Sequence, residues 1–429
     1  MSNTLYRLGT ANMYDNALRN LGARQTNLSN LQENLTSGKR VVRASDDPVS
    51  AAQAERALNR ISRIQTEQRA LETQRNAIAQ AESSLGDAVG LVQNFRELVV
   101  SAGDATLSNS DRATIANQLQ GLREQLQEVA NRKDTNGIPL LGALSSALAP
   151  FFGPLSTSPD YTFQGQPGQT SSSGVAIPNT LDGHSAFMFD PQRDGVYTAN
   201  VGSTPTPPAT TSPIPNGRTL TTSAITPTDP ALITGDNYRV DFTSVVPGAT
   251  AGTSSATYTI TNVTTGVTSA PITVPDYPSD KPVTISITDT DIPGLKFDIT
   301  GTPATGDMVT MQPSASLFST LDSAINGIRN AANNNDAIQA VGQALANIDI
   351  GLDRVHNMRS YAGELLNRAD RITGDQDKRS IQLEEDRSRA EDLDMIKGIS
   401  DFQNQQVGYE AALKSYAQVQ KLSLFNFIG

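Results

Sequence analysis

The distribution of proline constrains this chain more than any other feature of its sequence. Of its 23 proline residues, 21 lie between Pro150 and Pro313, and only Pro48 and Pro139 lie outside that stretch. Proline in a helix interior costs about 3 kcal/mol or more, so long helices can form only in the two end segments. The middle segment, residues 145–313, contains 13 Asp and no Glu, and Asp favours turns whereas Glu favours helices. We therefore predict two helical arms that flank one non-helical insert.

Three apolar stripes in the first arm have the spacing of helices. They run over residues 14–35, 57–99 and 115–129. The first two advance by alternating steps of three and four residues, which is typical of a coiled-coil seam. A few charged side chains interrupt the stripes, and we expect them to loosen the packing and to allow small sliding between subunits: Arg24, Arg75, Glu82 and Arg96.

Two adjacent carboxylates, Asp46 and Asp47, precede Pro48 where the second stripe begins. Such a pair can indicate a metal or acid–base site. An Asp at the N-cap followed by Pro at the first helical position is, however, a common helix start, so helix capping is the preferred interpretation. The connection before it carries three basic residues between positions 39 and 43, too few for a polyanion-binding segment.

The second arm mirrors the first. The sequence predicts a short helix from about Ser316, a loop at residues 333–335 and a long helical stripe over residues 341–369. Thr, Gly and Asp at residues 373–375 predict a kink or break. The stretch after residue 399 ends in an apolar tail that needs a partner.

Both terminal segments, residues 1–35 and 399–429, are amphipathic. As an isolated pair they would bury too little area to be stable, so we expect them to be disordered in the free chain and to become helical on assembly. The predicted assembly surface is formed by their large apolar side chains: Leu21, Leu28, Leu31, Leu35, Ile399, Phe402, Tyr409, Leu413, Tyr416, Leu422, Leu424, Phe425 and Phe427.

The middle segment alternates apolar and polar residues, as half-buried strands do. A Thr- and Pro-rich stretch, residues 202–230, is predicted to be a loop or irregular edge, and residues 289–291 lack the remaining ligands of a calcium loop and are predicted to be a turn. The alternating positions are Tyr238, Val240 and Phe242, Tyr258 and Ile260, Ile285 and Ile287, Phe297 and Ile299, and Val309 and Met311.

The predicted fold class is mainly α with an inserted β domain: a long antiparallel helical bundle or rod built from both chain ends, plus a β-sandwich or barrel-like insert. Five segments follow from the composition. They are an N-terminal assembly segment (1–45), the first half of the helical rod (46–144), the β-rich insert (145–313), the second half of the rod (314–375), and a C-terminal helix with the assembly tail (376–429).

The composition disfavours several classes of function. The chain has no Cys and two His, so few residues are available for catalysis or metal binding. A net charge of -11 argues against nucleic acid as a partner. No apolar run approaches the roughly 20 residues of a membrane span, and no secretory signal peptide is recognisable. We predict no enzyme activity, no cofactor and no metal.

Several motifs, in order and at both ends of the chain, resemble those of the flagellin superfamily. They are LTSGKR at residues 35–40, ASDDP at 44–48, NG followed by LLG between 136 and 142, RSRAED at 387–392 and, in the insert, LKFDITGTP at 295–303 with GD at 306–307.

Two features of the sequence resemble the hook–filament junction members of the superfamily more than flagellin itself. Pro48 follows the Asp pair where flagellins usually have Ala, and residues 420–426 read QKLSLFN. The resemblance implies an extracellular flagellar protein that assembles with itself, an adjacent hook-associated protein and flagellin. It also implies export unfolded through the flagellar type III apparatus, with a chaperone. Flagellin itself, or an adhesive β domain on a helical stalk, are the alternatives.

Overall fold

The computed structural model describes residues 3–144, 149–156, 159–166, 177–203 and 220–428. Within helices α1 and α7, defined below, it describes the backbone alone at residues 3–11, 13, 419 and 421–428. The chain divides into two compact units. The terminal unit comprises Met1–Leu71 and Arg371–Gly429, and the central unit comprises Glu72–Asp370. The five segments expected from composition follow other boundaries, and their folding as separate domains stays a prediction.

Long helices occupy both ends of the chain, and strands occupy the middle. The predicted class, mainly α with an inserted β domain, is confirmed. The helices are α1 (Asn3–Ser37), α2 (Pro48–Ala102), α3 (Asn109–Ala130), the short α4 (Gly183–Phe187), α5 (Leu317–Arg329), α6 (Asn334–Glu391) and α7 (Met395–Ile428).

One predicted break is wrong. Helix α6 continues without interruption through residues 373–375. Gly374 costs an α-helix only about 1 kcal/mol relative to Ala, and buried residues on either side, Ala369 and Leu383, hold the helix in place. Packing therefore overrides the local preference of Gly374.

In the central unit, α2 and α6 each bury a series of apolar side chains spaced seven residues apart. Each of these side chains is at most 1% exposed, and burying a large apolar side chain contributes about 1.5–3 kcal/mol. A strict seven-residue repeat is the pattern of knobs-into-holes packing. The residues are Ile78, Leu85, Val92 and Val99 on α2, and Ile348, Val355, Ala362 and Ala369 on α6.

Charged seam residues bridge α2 and α6 in the central unit. Three ion pairs join the two helices: Arg75 Nε to Asp370 Oδ1 at 3.0 Å, Arg359 Nε to Glu82 Oε1 at 2.8 Å, and Arg96 Nε to Asp349 Oδ1 at 2.7 Å. From the first pair to the last, the residue numbers rise along α2 and fall along α6. These pairs are partly exposed to solvent, so each stabilises the fold only weakly. They fix an antiparallel register between the helices, whereas the sequence had suggested that such charges loosen the seam.

The described strands form two main sheets. The larger has the order β3-β12-β6-β7-β8, with β9 also on β7; the smaller has the order β10-β11-β4, with β5 also on β11. The strands are β1 (Phe151–Phe152), β2 (Thr162–Phe163), β3 (Tyr197–Ser203), β4 (Thr221–Thr222), β5 (Thr226–Pro227), β6 (Tyr238–Pro247), β7 (Thr253–Asn262), β8 (Val267–Thr268), β9 (Ile272–Pro278), β10 (Val283–Ile287), β11 (Leu295–Gly301) and β12 (Asp307–Pro313).

The two sheets enclose one apolar core, which makes the insert a β-sandwich. The alternating residues predicted from the sequence all lie in it. The larger sheet contributes Tyr238, Val240, Phe242, Tyr258, Ile260, Val309 and Met311, and the smaller contributes Ile285, Ile287, Phe297 and Ile299. Part of the predicted irregular stretch forms the short edge strands β4 and β5, and residues 204–219 lie outside the described residues.

The first part of the predicted insert packs on helices instead of joining the sandwich. Phe151 and Phe187 lie with ring centroids 5.6 and 5.4 Å from that of Phe318 on α5. Asn131, the C-cap of α3, donates to Phe151 O at 3.0 Å and accepts from Phe151 N at 2.9 Å. The sandwich itself therefore begins at Tyr197.

Helix α6 covers the outer edge of strand β3 with side-chain amides. Gln343 Oε1 accepts from Ala199 N at 3.2 Å, and Asn347 Nδ2 donates to Tyr197 O at 2.8 Å. Gln339 Nε2 donates to Ala199 O at 3.3 Å. Four helical residues rise about 6.0 Å and two strand residues about 6.6 Å, so amides at every fourth position can follow the strand. This amide ladder protects an edge that would otherwise expose unpaired backbone groups.

The geometry of the sandwich predicts that it can be excised. Tyr197 and Pro313 are cross-strand partners, so the ends of the sandwich lie side by side. We expect a chain in which a short Gly-Ser turn replaces residues 198–312 to keep its helices, because the apolar heptads of α2 and α6 do not include sandwich residues. Far-UV circular dichroism of the deletion variant measures this. Loss of most helical signal would show that the helices depend on the sandwich.

Candidate assembly surface

Helices α1 and α7 pack against each other in the terminal unit. The Tyr14 and Tyr416 rings meet edge to face with centroids 5.2 Å apart. A hydrogen bond with Tyr14 raises the pKa of the Tyr416 phenol above its ordinary value. Three contacts show that the helices are antiparallel: Tyr14 against Tyr416, Arg24 against Gly408, and Leu35 against Gly398.

The predicted assembly residues divide between two environments. Ile399 and Leu413 are 47% and 42% exposed. The side chains of Leu422, Leu424, Phe425 and Phe427 lie outside the described residues, although their backbone belongs to α7. The half-buried group is Leu21, Leu28, Leu31, Leu35, Phe402, Tyr409 and Tyr416.

The terminal segments are helical over Asn3–Ser37 and Met395–Ile428, and the two helices bury part of their apolar surface against each other. Their disorder in the free chain stays a prediction. Most side chains described on α1 and α7 are nevertheless exposed, and segments with few buried contacts open most readily.

A second face of α7 exposes four large apolar side chains, interspersed with polar residues. Ile396 and Val407 are 85% and 67% exposed. At 100° per residue, they fall with Ile399 and Leu413 within an arc of about 120°, next to the arc that contains Tyr416. The sequence reasoning missed Ile396 and Val407 because it followed a single 3-4 stripe.

Two glycines on the α1-facing side of α7 were also missed. A Cβ at Gly408 would lie 2.7 Å from Arg24 Nη1, and one at Gly398 would lie 3.1 Å from Leu35 Cδ2 and 2.8 Å from Leu393 Cδ2. The absence of a side chain lets α1 approach closely at these positions. A search for small residues in the apolar stripe would have found them.

The connection from α1 to α2 is hydrogen-bonded to the end of α6. Arg40 N and Val41 N donate to Glu391 O at 2.7 and 3.3 Å, and Leu393 N donates to Gly38 O at 2.9 Å. Val41 is 5% exposed. This segment is thus fixed to the end of α6 within the terminal unit.

Asp47 and Pro48 lie at the start of α2. Asp47 Oδ1 accepts from Val49 N at 3.2 Å and Ser50 N at 3.1 Å, and Ser50 Oγ donates to Asp47 Oδ2 at 2.6 Å. These hydrogen bonds, those from Ser50 foremost, lower the pKa of Asp47 from 3.8 to about 2. The geometry is that of an N-cap, with Pro48 in the first helical position.

The basic residues of the connection are all paired within the chain. Lys39 forms an ion pair with Glu391, Arg40 pairs with Asp47 at 3.3 Å, and Arg43 pairs with Glu33 at 2.8 Å. Since each already has a carboxylate partner, they are weak candidates for a contact with another subunit.

Other candidates from the sequence have ordinary environments. His356 is exposed on α6, and residues 289–291 form a turn. Within the described ranges, no group of three His, Cys, Asp or Glu side chains lies close enough to hold a metal ion. In that part of the chain no helix is both long and apolar enough to cross a membrane.

Part of the chain has known relatives. Residues 9–145 match the family described as the bacterial flagellin N-terminal helical region. Flagellar hook-associated protein 3 of Salmonella typhimurium is 36% identical over 149 residues, which are 34% of this chain and 46% of that protein. A flagellin of Clostridium tyrobutyricum is 28% identical over 169 residues, 38% of this chain and 45% of that protein. The chain thus matches about half the length of these curated relatives.

Solved structures extend the likeness to most of the chain. The flagellar junction protein FlgL from Legionella pneumophila is 25% identical, with a TM-score of 0.53, over 74% of this chain and 97% of that one. FlgL of Xanthomonas campestris has a TM-score of 0.54 and 20% identity over 77% and 98% of the two chains, and shows the fold alone. The resemblance to the flagellin superfamily and its junction members is confirmed.

The close approach at Gly398 predicts a substitution effect. We expect Gly398→Leu to separate α1 from α7, because the new side chain overlaps Leu35 and Leu393, and overpacking typically costs about 1–3 kcal/mol. Gly22→Leu is the matched control, since a Cβ at Gly22 meets nothing within 4 Å. Amide hydrogen exchange should accelerate in α1 and α7 of the first variant only. Equal exchange in both variants would contradict the pairing.

The low pKa of Asp47 predicts a pH dependence. A carboxyl group whose folded pKa lies below its unfolded value stabilises the fold above the unfolded pKa, and that contribution is lost as the pH falls through the folded pKa. We therefore expect Asp47→Ala to lower the melting temperature at neutral pH, and the difference from wild type to shrink between about pH 4 and about pH 2. Glu55→Ala is the control. A difference that stays constant down to the lowest pH would show that Asp47 does not act through its charge.

Proposed function

We propose that this chain is a structural subunit of the bacterial flagellum and forms the junction between hook and filament. The observation that carries the proposal is the likeness to the Legionella flagellar junction protein, which extends over 97% of that chain. The comparison covers 74% of the present chain.

The exposed apolar side chains of α7 support assembly as the mode of action. Ile396, Ile399, Val407 and Leu413 expose large apolar side chains on one face, and exposed apolar patches mark interaction sites. The apolar tail, with Leu422, Leu424, Phe425 and Phe427, follows them in the sequence. A contact between this face and a different face of the next subunit is heterologous and can continue around a ring or along a helical lattice.

The partners under this proposal are copies of the same chain, an adjacent hook-associated protein and flagellin. Export unfolded through the type III apparatus, an export chaperone and an extracellular location follow from the same proposal. No catalytic role is proposed, because the described residues offer no metal-competent cluster and the sequence has no nucleophile or phosphate-binding motif.

Flagellin is the first alternative, and the comparisons favour it less. The hook-associated relative is 36% identical, whereas the first flagellin is 28% identical over a similar length. An adhesive role for the sandwich has less support. Aromatic side chains that could line a ligand groove are instead in its core, where Tyr197, Phe242, Tyr258 and Phe297 are at most 3% exposed.

Electron microscopy of a deletion strain tests the function. We expect hooks without filaments and flagellin released to the medium, because no subunit would then connect the two structures. Filament number should return when the wild-type chain is supplied. Normal filaments on the deletion strain would show that the chain is not the junction subunit.

Complementation with α7 variants tests the proposed face in the same strain. Ile396→Asp combined with Val407→Asp should fail to restore filaments, because it places charge on the contact. Asn404→Asp is the control, since Asn404 is exposed on α7 outside the apolar arc. Secretion of each variant should be measured by immunoblot of the medium. Full restoration by the double variant would exclude this face as an assembly contact.

A further inference from the structure

The terminal unit contains a cleft rich in arginine between α2 and α6. Its volume is 470 Å³. Three guanidinium groups and one carboxylate, that of Asp386, line it, so the cleft is cationic in a chain whose net charge is -11. Its lining includes Ser50, Gln53, Arg56, Arg60, Leu383 and Arg389. We call it the arginine cleft.

Two of these arginines have no charged partner. The third, Arg389, donates from Nη2 to Asp386 Oδ1 at 2.5 Å. Arg56 and Arg60 are exposed, and no carboxylate lies within ion-pair distance of either in the described part of the chain. They stand four residues apart on α2, where two like charges destabilise a helix. An anionic surface placed against the cleft would remove this repulsion.

The central unit contains a groove of opposite charge between α2 and α3. Two adjoining depressions of 520 and 630 Å³ share Asn94 and Gln125. Their carboxylates include Glu97 and Glu128, which are exposed and have no ion-pair partner among the residues the structure describes. We call this surface the acidic groove.

Two glycines leave the acidic groove open. A Cβ added at Gly90 or Gly121 would meet no atom within 4 Å, so neither helix fills the space above these residues. The remaining acidic side chain, Asp87, is already bonded by Arg132 at 2.7 Å. The free charges are thus Glu97 and Glu128, a pair that matches the two free arginines in number and is opposite in sign.

We propose that the arginine cleft of one copy of this chain docks the acidic groove of another copy. The inference rests on the proposed function and names the surfaces that meet. The cleft and the groove are different surfaces, so the contact is heterologous and repeats from copy to copy without closing on a dimer. Guanidinium groups suit it, because they bind carboxylates through two parallel hydrogen bonds.

Charge also explains why such a contact would be specific. Copies that each carry a net charge of -11 repel one another at long range. A local pairing of opposite charges selects one register from many, and contributes more to specificity than to affinity. The same negative charge disfavours nucleic acid as the occupant of the cleft.

Cysteine cross-linking of the purified full-length chain tests the proposal, and the chain has no native Cys to interfere. Gln53→Cys places a thiol in the cleft and Gln125→Cys places one in the groove. Mixed at low salt and oxidised, these two variants should give the mixed dimer in preference to either homodimer, as read by mass spectrometry. Thr265→Cys, exposed in the turn before β8, replaces the groove variant in the control.

Charge reversal identifies the pairing. Arg56→Glu with Arg60→Glu in the cleft variant should lower the mixed-dimer yield about tenfold. Glu97→Arg with Glu128→Arg in the groove variant should restore it, and 1 M salt should suppress it in the unreversed pair. A yield no higher than that of the Thr265 control, or a yield unaffected by reversal, would overturn the proposal. Binding of the cleft variant to a polyanion such as heparin without cross-linking to the groove would also overturn it.

Failure of this inference is distinguishable from failure of the proposed function. The function is judged by filaments on cells that lack the chain, whereas the docking is judged by cross-linking of purified protein. Normal filaments on the deletion strain would leave a positive cross-linking result intact as a self-association of this chain. If the deletion strain lacks filaments but the purified protein gives no specific cross-link, the junction role is retained. The arginine cleft and the acidic groove are then excluded as the docking surfaces.

Discussion

Antiparallel pairing between helices from opposite ends of the sequence determines where every other element lies. In the central unit, α2 and α6 bury apolar side chains at a seven-residue spacing, from Ile78 to Val99 and from Ile348 to Ala369. In the terminal unit, α1 pairs with α7, and Ile61 and Ile64 of α2 pack with Leu383 of α6. Because the two arms return along each other, the intervening chain must leave and re-enter at one place, and the sandwich occupies that place with Tyr197 beside Pro313.

Side-chain amides of α6 hold the sandwich at the edge of strand β3. Gln339, Gln343 and Asn347 reproduce on α6 the donor and acceptor pattern of a neighbouring strand. Each satisfied amide contributes little net free energy, but an unsatisfied partner would be costly once buried. The ladder therefore specifies where the sandwich sits on α6. A fixed attachment of this kind would keep the sandwich in one orientation in the proposed assembly.

Sequence patterns predicted the elements and the antiparallel bundle built from both chain ends, but not the individual contacts between elements. The alternation at Tyr238 to Phe242 and the heptads after Ile78 identified strands and helices, because each pattern reports the face that one element buries. The break expected at Gly374 was wrong, because long-range packing outweighs a local propensity. The close approach at Gly398 and the amide ladder were missed, since each depends on a residue distant in sequence. The exposure of Ile396 was missed because only one 3-4 stripe was followed. The tail beyond Lys421 was assigned from its apolarity alone, and it stays a prediction.

The register of the paired helices can be measured directly. Gln68 Nε2 donates to Asp377 Oδ1 at 2.7 Å across α2 and α6. In a chain carrying Gln68→Cys and Asp377→Cys, mild oxidation should form an intrachain disulfide rapidly and almost completely. A second chain with Gln68→Cys and Glu384→Cys, shifted by one heptad, should form it slowly. Equal rates in the two chains, or faster closure of the shifted pair, would contradict the antiparallel register on which the fold and the proposed assembly depend.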